Sequence, residues 1–96
     1  MMFDRTMMID HPLKGIKQFK VRFNYGKFLS VIGGHSEVLR VNGDGQTTFE
    51  VYMSSDETNY NNLECYVDIE RVNILLSDFI KWYGQPIEVN GNPVVY

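Results

Sequence analysis

Cysteine is nearly absent from this chain. Cys65 stands alone, which excludes an internal disulfide framework and suits a reducing compartment. No apolar run approaches the roughly 20 residues that a membrane-crossing helix requires. The opening stretch, MMFDRTMMID, carries Asp4 and Asp10 and lacks a basic segment leading into an apolar one, so it does not read as a secretion signal. Repeats and low-complexity tracts are missing too. These absences lead us to expect a soluble, cytoplasmic protein with no membrane partner.

Motifs for chemistry are equally scarce. His11, His35 and Cys65 are the soft metal ligands, and no two of them stand at C-x-x-C or H-x3-H spacing. Cys65 has no neighbouring base to activate it, and a lone cysteine leading into a core behaves as a small hydrophobe. His35 and Ser36 adjoin, yet neighbours along a strand point to opposite faces, which separates a Ser–His pair. Gly33-Gly34-His35-Ser36 lacks the Lys-Ser/Thr of a phosphate-binding loop and reads as a hairpin turn. Asp56 and Glu57 lie in a polar stretch where nothing raises a carboxyl pKa toward acid catalysis. We expect no enzyme, no cofactor and no metal.

What the chain does have is one clear helix. Over Asp68 to Gly84, at about 100° per residue, Ile69, Val72, Leu76, Phe79, Ile80 and Tyr83 share a face, with Leu75 at its edge. Glu70, Arg71, Ser77, Asp78 and Lys81 take the opposite face. Asp68 is placed to cap the first turn, Gly84 to close the last in the left-handed conformation, and Pro86 cannot continue it.

The remainder reads as strands. Phe19, Val21 and Phe23 alternate with Lys20, Arg22 and Asn24. Asn24-Tyr25-Gly26 supplies a turn or a bulge, and 27–32 is a second strand whose apolar residues crowd both faces. Gly33-Gly34 is expected to reverse the chain before a short strand over 37–41. Asn42-Gly43-Asp44-Gly45 then turns into a strand over 47–53. Ser54 to Glu64 is a polar, exposed connection, and Cys65-Tyr66-Val67 re-enters the core. Past the helix, Ile87-Glu88-Val89, Asn90-Gly91 and Val94-Val95-Tyr96 spell a hairpin, with Pro93 marking an edge. Residues 1–13 read as a loose flap over the core, and the alternative is an adaptable binding surface made by their four methionines. The sum is one α+β domain over 1–96: an antiparallel sheet of four to five strands, one main amphipathic helix over 68–83 packed across it, and a C-terminal hairpin.

Charge is unevenly spread. From Pro12 to Arg40 six bases face Glu37 alone, a net of +5, whereas from Val41 onward nine acids face Arg71 and Lys81, a net of −7. Such a dipole steers association rather than folding. The acids Asp56, Glu57 and Glu64, followed by Arg71, Ile74, Asp78 and Trp82 on the outer side of the helix, make a candidate partner-binding surface. A tryptophan beside an isoleucine, ringed by charge, has the composition of an interface hot spot. The alternative is a single-stranded nucleic-acid site on the basic strand 14–27, using Lys20, Arg22 and Lys27. Because Phe19 and Phe23 share the face opposite Lys20 and Arg22, the aromatics are expected in the core and the bases without stacking platforms. A protein partner therefore ranks above nucleic acid, and a homodimer through the edge hairpin is a further alternative.

The order N-Y-G-x-F-L-S-V (Asn24 to Val31), F-E-V-Y-M (Phe49 to Met53) and a polar gap before a helix resembles small proteins of phages and prophages, over Asn24 to Tyr83. The anti-CRISPR inhibitors are the best-known instance. The resemblance implies a compact protein in the host cytoplasm that works without an active site, by blocking a host protein or ribonucleoprotein complex. Such complexes hold nucleic acid in positively charged channels. A net charge of −3 is mild for whole-surface mimicry, and leaves a local acidic patch as the implied device.

Overall fold

A computed structural model describes residues 1–54 and 62–96. The strands are β1 (Ile9–Asp10), β2 (Ile16–Arg22), β3 (Phe28–Gly34), β4 (Phe49–Met53), β5 (Leu63–Val67), β6 (Glu88–Val89) and β7 (Asn92–Pro93). One helix, α1 (Ile69–Tyr83), separates β5 from β6. All pairings are antiparallel, in the order β5-β4-β3-β2-β6-β7, with β1 also on β2. The architecture is α+β as expected. Its sheet has seven strands among the described residues rather than four or five, because three two-residue strands add to the long ones.

Alternation builds the core. Phe19, Val21, Leu29, Val31, Phe49, Val51 and Met53 are buried on one face of the sheet, beneath Val72, Leu75, Leu76 and Phe79 of α1. Each such side chain contributes on the order of 1.5–3 kcal/mol by leaving water. Asp68 Oδ1 accepts from the Arg71 N–H at 2.8 Å, the capping bond that starts the helix. At the other end Gly84 closes the last turn, its N–H donating to the Ile80 carbonyl at 2.9 Å with φ 87°, a value that favours glycine, while ψ −175° carries the chain out extended rather than in the full left-handed conformation. The Asn24 side chain also donates to the Tyr83 carbonyl, at 2.9 Å. The buried stripe is rotated from the expected one: Leu75 lies fully inside, while Ile69, in the first turn beside the cap, is exposed.

Several connections differ from expectation. Gly33 and Gly34 do not reverse the chain but pair with Lys17 and Ile16 inside the sheet. A Cβ on Gly33 would collide with Gly45 Cα, so a side chain there would push the following loop off β3. The strand expected over 37–41 is absent. That stretch follows a turn set by Ser36, whose Oγ accepts the N–H groups of Val38 and Leu39, and the next turn is held by Asp44, whose Oδ1 accepts the N–H groups of Gln46, Thr47 and Thr48 at 2.8, 2.8 and 3.0 Å. These bonds hold the Asp44 carboxyl well below its ordinary pKa, with the Thr48 N–H the largest cause. Cys65, expected to enter the core, is exposed, because Cys65 and Tyr66 together oppose Glu50 and bulge β5, with Tyr66 at φ 55°.

Residues 1–13, read as a loose flap, contribute to the core. The Phe3 ring is buried 5.0 Å from Phe19 and 5.3 Å from Phe49, and the Asn73 side chain bonds both the Phe3 N–H and carbonyl, at 2.6 and 3.2 Å. Asn90, in the expected Asn-Gly turn with φ 51°, has a second use. Its N–H donates to the Lys20 carbonyl, its Oδ1 accepts the Lys20 N–H, and its Nδ2 donates to the Met7 carbonyl. It fills the gap along β2 between β1 and β6.

Candidate functional site

Ile74, Asp78 and Trp82 stand four residues apart along α1 and form one row on the side away from the sheet. Ile74 is 49% exposed and Trp82 43%. The inner edge of the indole rests on the core rim, 6.0 Å from the Phe79 ring and 6.3 Å from Tyr83, which fixes its orientation while the rest faces outward. The Phe3–Asn73 clamp brings Met1 and Met2 alongside this row. Met1, Met2, Asn73, Ile74, Ser77 and Asp78 line a shallow depression of about 460 Å³. Sequence reasoning missed this juxtaposition of the methionines with Ile74, because the clamp spans seventy residues and Asn73 carries no local signal of it.

Four acids of the run, Asp44, Glu50, Glu64 and Asp68, have individual structural roles. Glu64 and Arg71, both half-buried, form a two-pronged pair at 2.8 and 2.9 Å that ties β5 to the first turns of α1. Asp68 caps α1, Asp44 organises its loop, and Glu50 Oε1 accepts from Asn42 at 2.8 Å. Asp56 and Glu57 lie outside the described residues.

The basic strand is rearranged as well. Lys20 and Arg22 are exposed on the open face of the sheet, whereas Lys27 is buried against the helix side with its Nζ 5.7 Å from the Tyr83 ring. The aromatics do not all enter the core. Phe28 and Tyr52 sit on the open face, with ring centroids 5.4 Å apart, and Lys20 Nζ lies 5.9 Å from the Phe28 centroid. The crowding of both faces over 28–32 was the one signal of this in the sequence. At the hairpin edge, β7 offers only Asn92 and Pro93, a short edge that proline blunts.

Ser36 Oγ accepts the N–H groups of Val38 and Leu39 at 3.2 and 3.3 Å, a turn-forming role beside His35. Among the described residues, no three His, Cys, Asp or Glu side chains converge as a metal site, and no helix is long and apolar enough to cross a membrane. Comparison with family models, with curated proteins and with solved structures gives no match.

Proposed function

We propose that this protein is a non-enzymatic binding protein, an inhibitor or adaptor that occupies a protein partner through the outer row of α1 and the adjoining methionines. The observation that carries this reading is the joint exposure of Ile74 and Trp82, two turns apart, beside Met1 and Met2. Tryptophan and methionine are enriched at interface centres, and methionine adapts its shape to the surface it meets. Asp78, between the two apolar anchors, supplies a polar rim within the same row. The resemblance to anti-CRISPR proteins supplies the first class of partner to try, a nucleic-acid-handling host complex.

The test is capture from a bacterial lysate with the parent and with an Ile74→Ala, Trp82→Ala double variant as baits. Both are checked first for matching melting curves. A partner held by the parent should dissociate faster from the double variant, with roughly 1–3 kcal/mol of binding lost for each of the two residues that is an anchor. Equal retention by the parent and the folded double variant would remove the row from the interface.

A further inference from the structure

We propose that the open face of the sheet binds single-stranded nucleic acid, with bases stacked on Tyr52 and phosphates held by Lys20 and Arg22. This surface lies on the opposite side of the sheet from α1 and is independent of the interface proposed above.

The pairing registers define the surface. Lys20 pairs with Ser30, Ser30 with Tyr52, and Tyr52 with Leu63, giving one row across β2, β3, β4 and β5. The adjacent row places Arg22 opposite Phe28. Cations therefore occupy the β2 column, while rings occupy the β3 and β4 columns. With strands about 4.8 Å apart, Lys20 and Tyr52 lie roughly 10 Å from each other across the face. That layout suits a polymer that carries charge along its backbone and flat bases to one side. Tyr52 is 51% exposed although it is a large aromatic on a central strand, and its ring is braced at 41° against Phe28. Lys20, close to the Phe28 ring, keeps its charge beside the platform.

Among the described residues, Glu50 on this face accepts from the Asn42 side chain, and Glu88 lies 4.0 Å from Arg22, whose side chain stays half exposed. A duplex would hide its base faces from such a platform, and among the described residues no helix or ribbon projects here to enter a groove. Unpaired bases meet the rings directly.

The experiment uses fluorescent oligothymidylate and oligouridylate of about ten nucleotides, a length within the site sizes seen for sheet-based single-strand binders. Anisotropy is followed at low salt and through a salt titration. Binding should weaken with salt, and Lys20→Gln should lower the slope of log affinity against log salt by roughly 0.7, one phosphate contact. Tyr52→Ala should weaken binding roughly tenfold, while Tyr52→Phe, which keeps the ring, should bind like the parent. Ultraviolet cross-linking to the unmodified protein, read by mass spectrometry, should place adducts on Tyr52 or Phe28, and does not depend on any variant folding. No binding at low salt would overturn the proposal. So would equal displacement by polyglutamate, adducts confined to other surfaces, or a folded Tyr52→Ala that binds like the parent. A protein ligand captured on this face in place of nucleic acid would overturn it equally.

Discussion

The two faces of the sheet are built from the same strands and have opposite fates. Phe19, Val21, Leu29, Val31 and Val51 are wholly buried beneath α1 and Phe3, whereas Lys20, Ser30 and Tyr52, their immediate chain neighbours, stay at the surface. Burial explains the first set completely: each residue closes the core, and the alternation of the strands follows from it. It explains little of the second, where Phe28 and Tyr52 pair outside the core beside Lys20. The same contrast runs across the helix, with Phe79 inside and Ile74 and Trp82 outward. Side chains that the fold does not require, yet that are apolar or aromatic, mark where a partner is to be sought.

The largest effect expected from this contrast is on stability. Phe79→Ala should cost about 3–5 kcal/mol by opening a cavity between helix and sheet, and Leu76→Ala about 2–5 kcal/mol. Ser77→Ala, on the outer face of α1, should lie near zero, and Tyr52→Ala should lose no more than about 1 kcal/mol of cross-strand contact. Urea midpoints with a common slope decide this. A Tyr52→Ala loss rivalling that of Phe79→Ala would make the open face a structural element rather than a free one.

An intermediate effect is expected at the two asparagines that fasten the ends of the chain. Asn73→Ala leaves the backbone groups of Phe3 without their side-chain partner, and Asn90→Ala removes the bridge between Lys20 and Met7. Each should cost about 1–3 kcal/mol. Asn73→Ala should in addition speed amide exchange in the first few residues and release Met1 and Met2 from the α1 row. Unchanged exchange there would mean that Phe3 burial alone holds the terminus.

The smallest effect concerns acid. The folded state lowers the Asp44 pKa below its unfolded value of about 3.9, so the carboxylate adds stability above that pH and loses it as pH falls below it. Asp44→Asn should flatten the dependence of the unfolding midpoint on pH between about 5 and 2. A parallel acid limb in parent and variant would show that the Asp44 bonds are equally present in the unfolded chain.

The legibility of the chain followed the range of its interactions. Helix α1, its Asp68 cap, the Asn90-Gly91 hairpin and the alternation of β2 and β4 are local patterns, and all could be read directly. Illegible were features set by distant partners. Phe3 is buried because Asn73, far along the chain, binds its backbone. Gly33 and Gly34 look like a turn but serve a close approach of two backbones. Glu64, read from the sequence only as part of an acidic surface, pairs with Arg71, and Asp44 and Glu50 accept from donors in their own loops. Ile74 and Trp82 were legible because two apolar residues off the buried stripe of a helix stand out from sequence alone. Met1 and Met2 beside them were not.

The most direct test of the account is amide hydrogen exchange on the protein alone and bound to whatever its intact α1 row captures. The account predicts added protection over the first residues and along α1 from Ile74 to Trp82, with β6 and β7 unchanged. Protection confined to β6 and β7, with the α1 row exchanging as in the free protein, would contradict it.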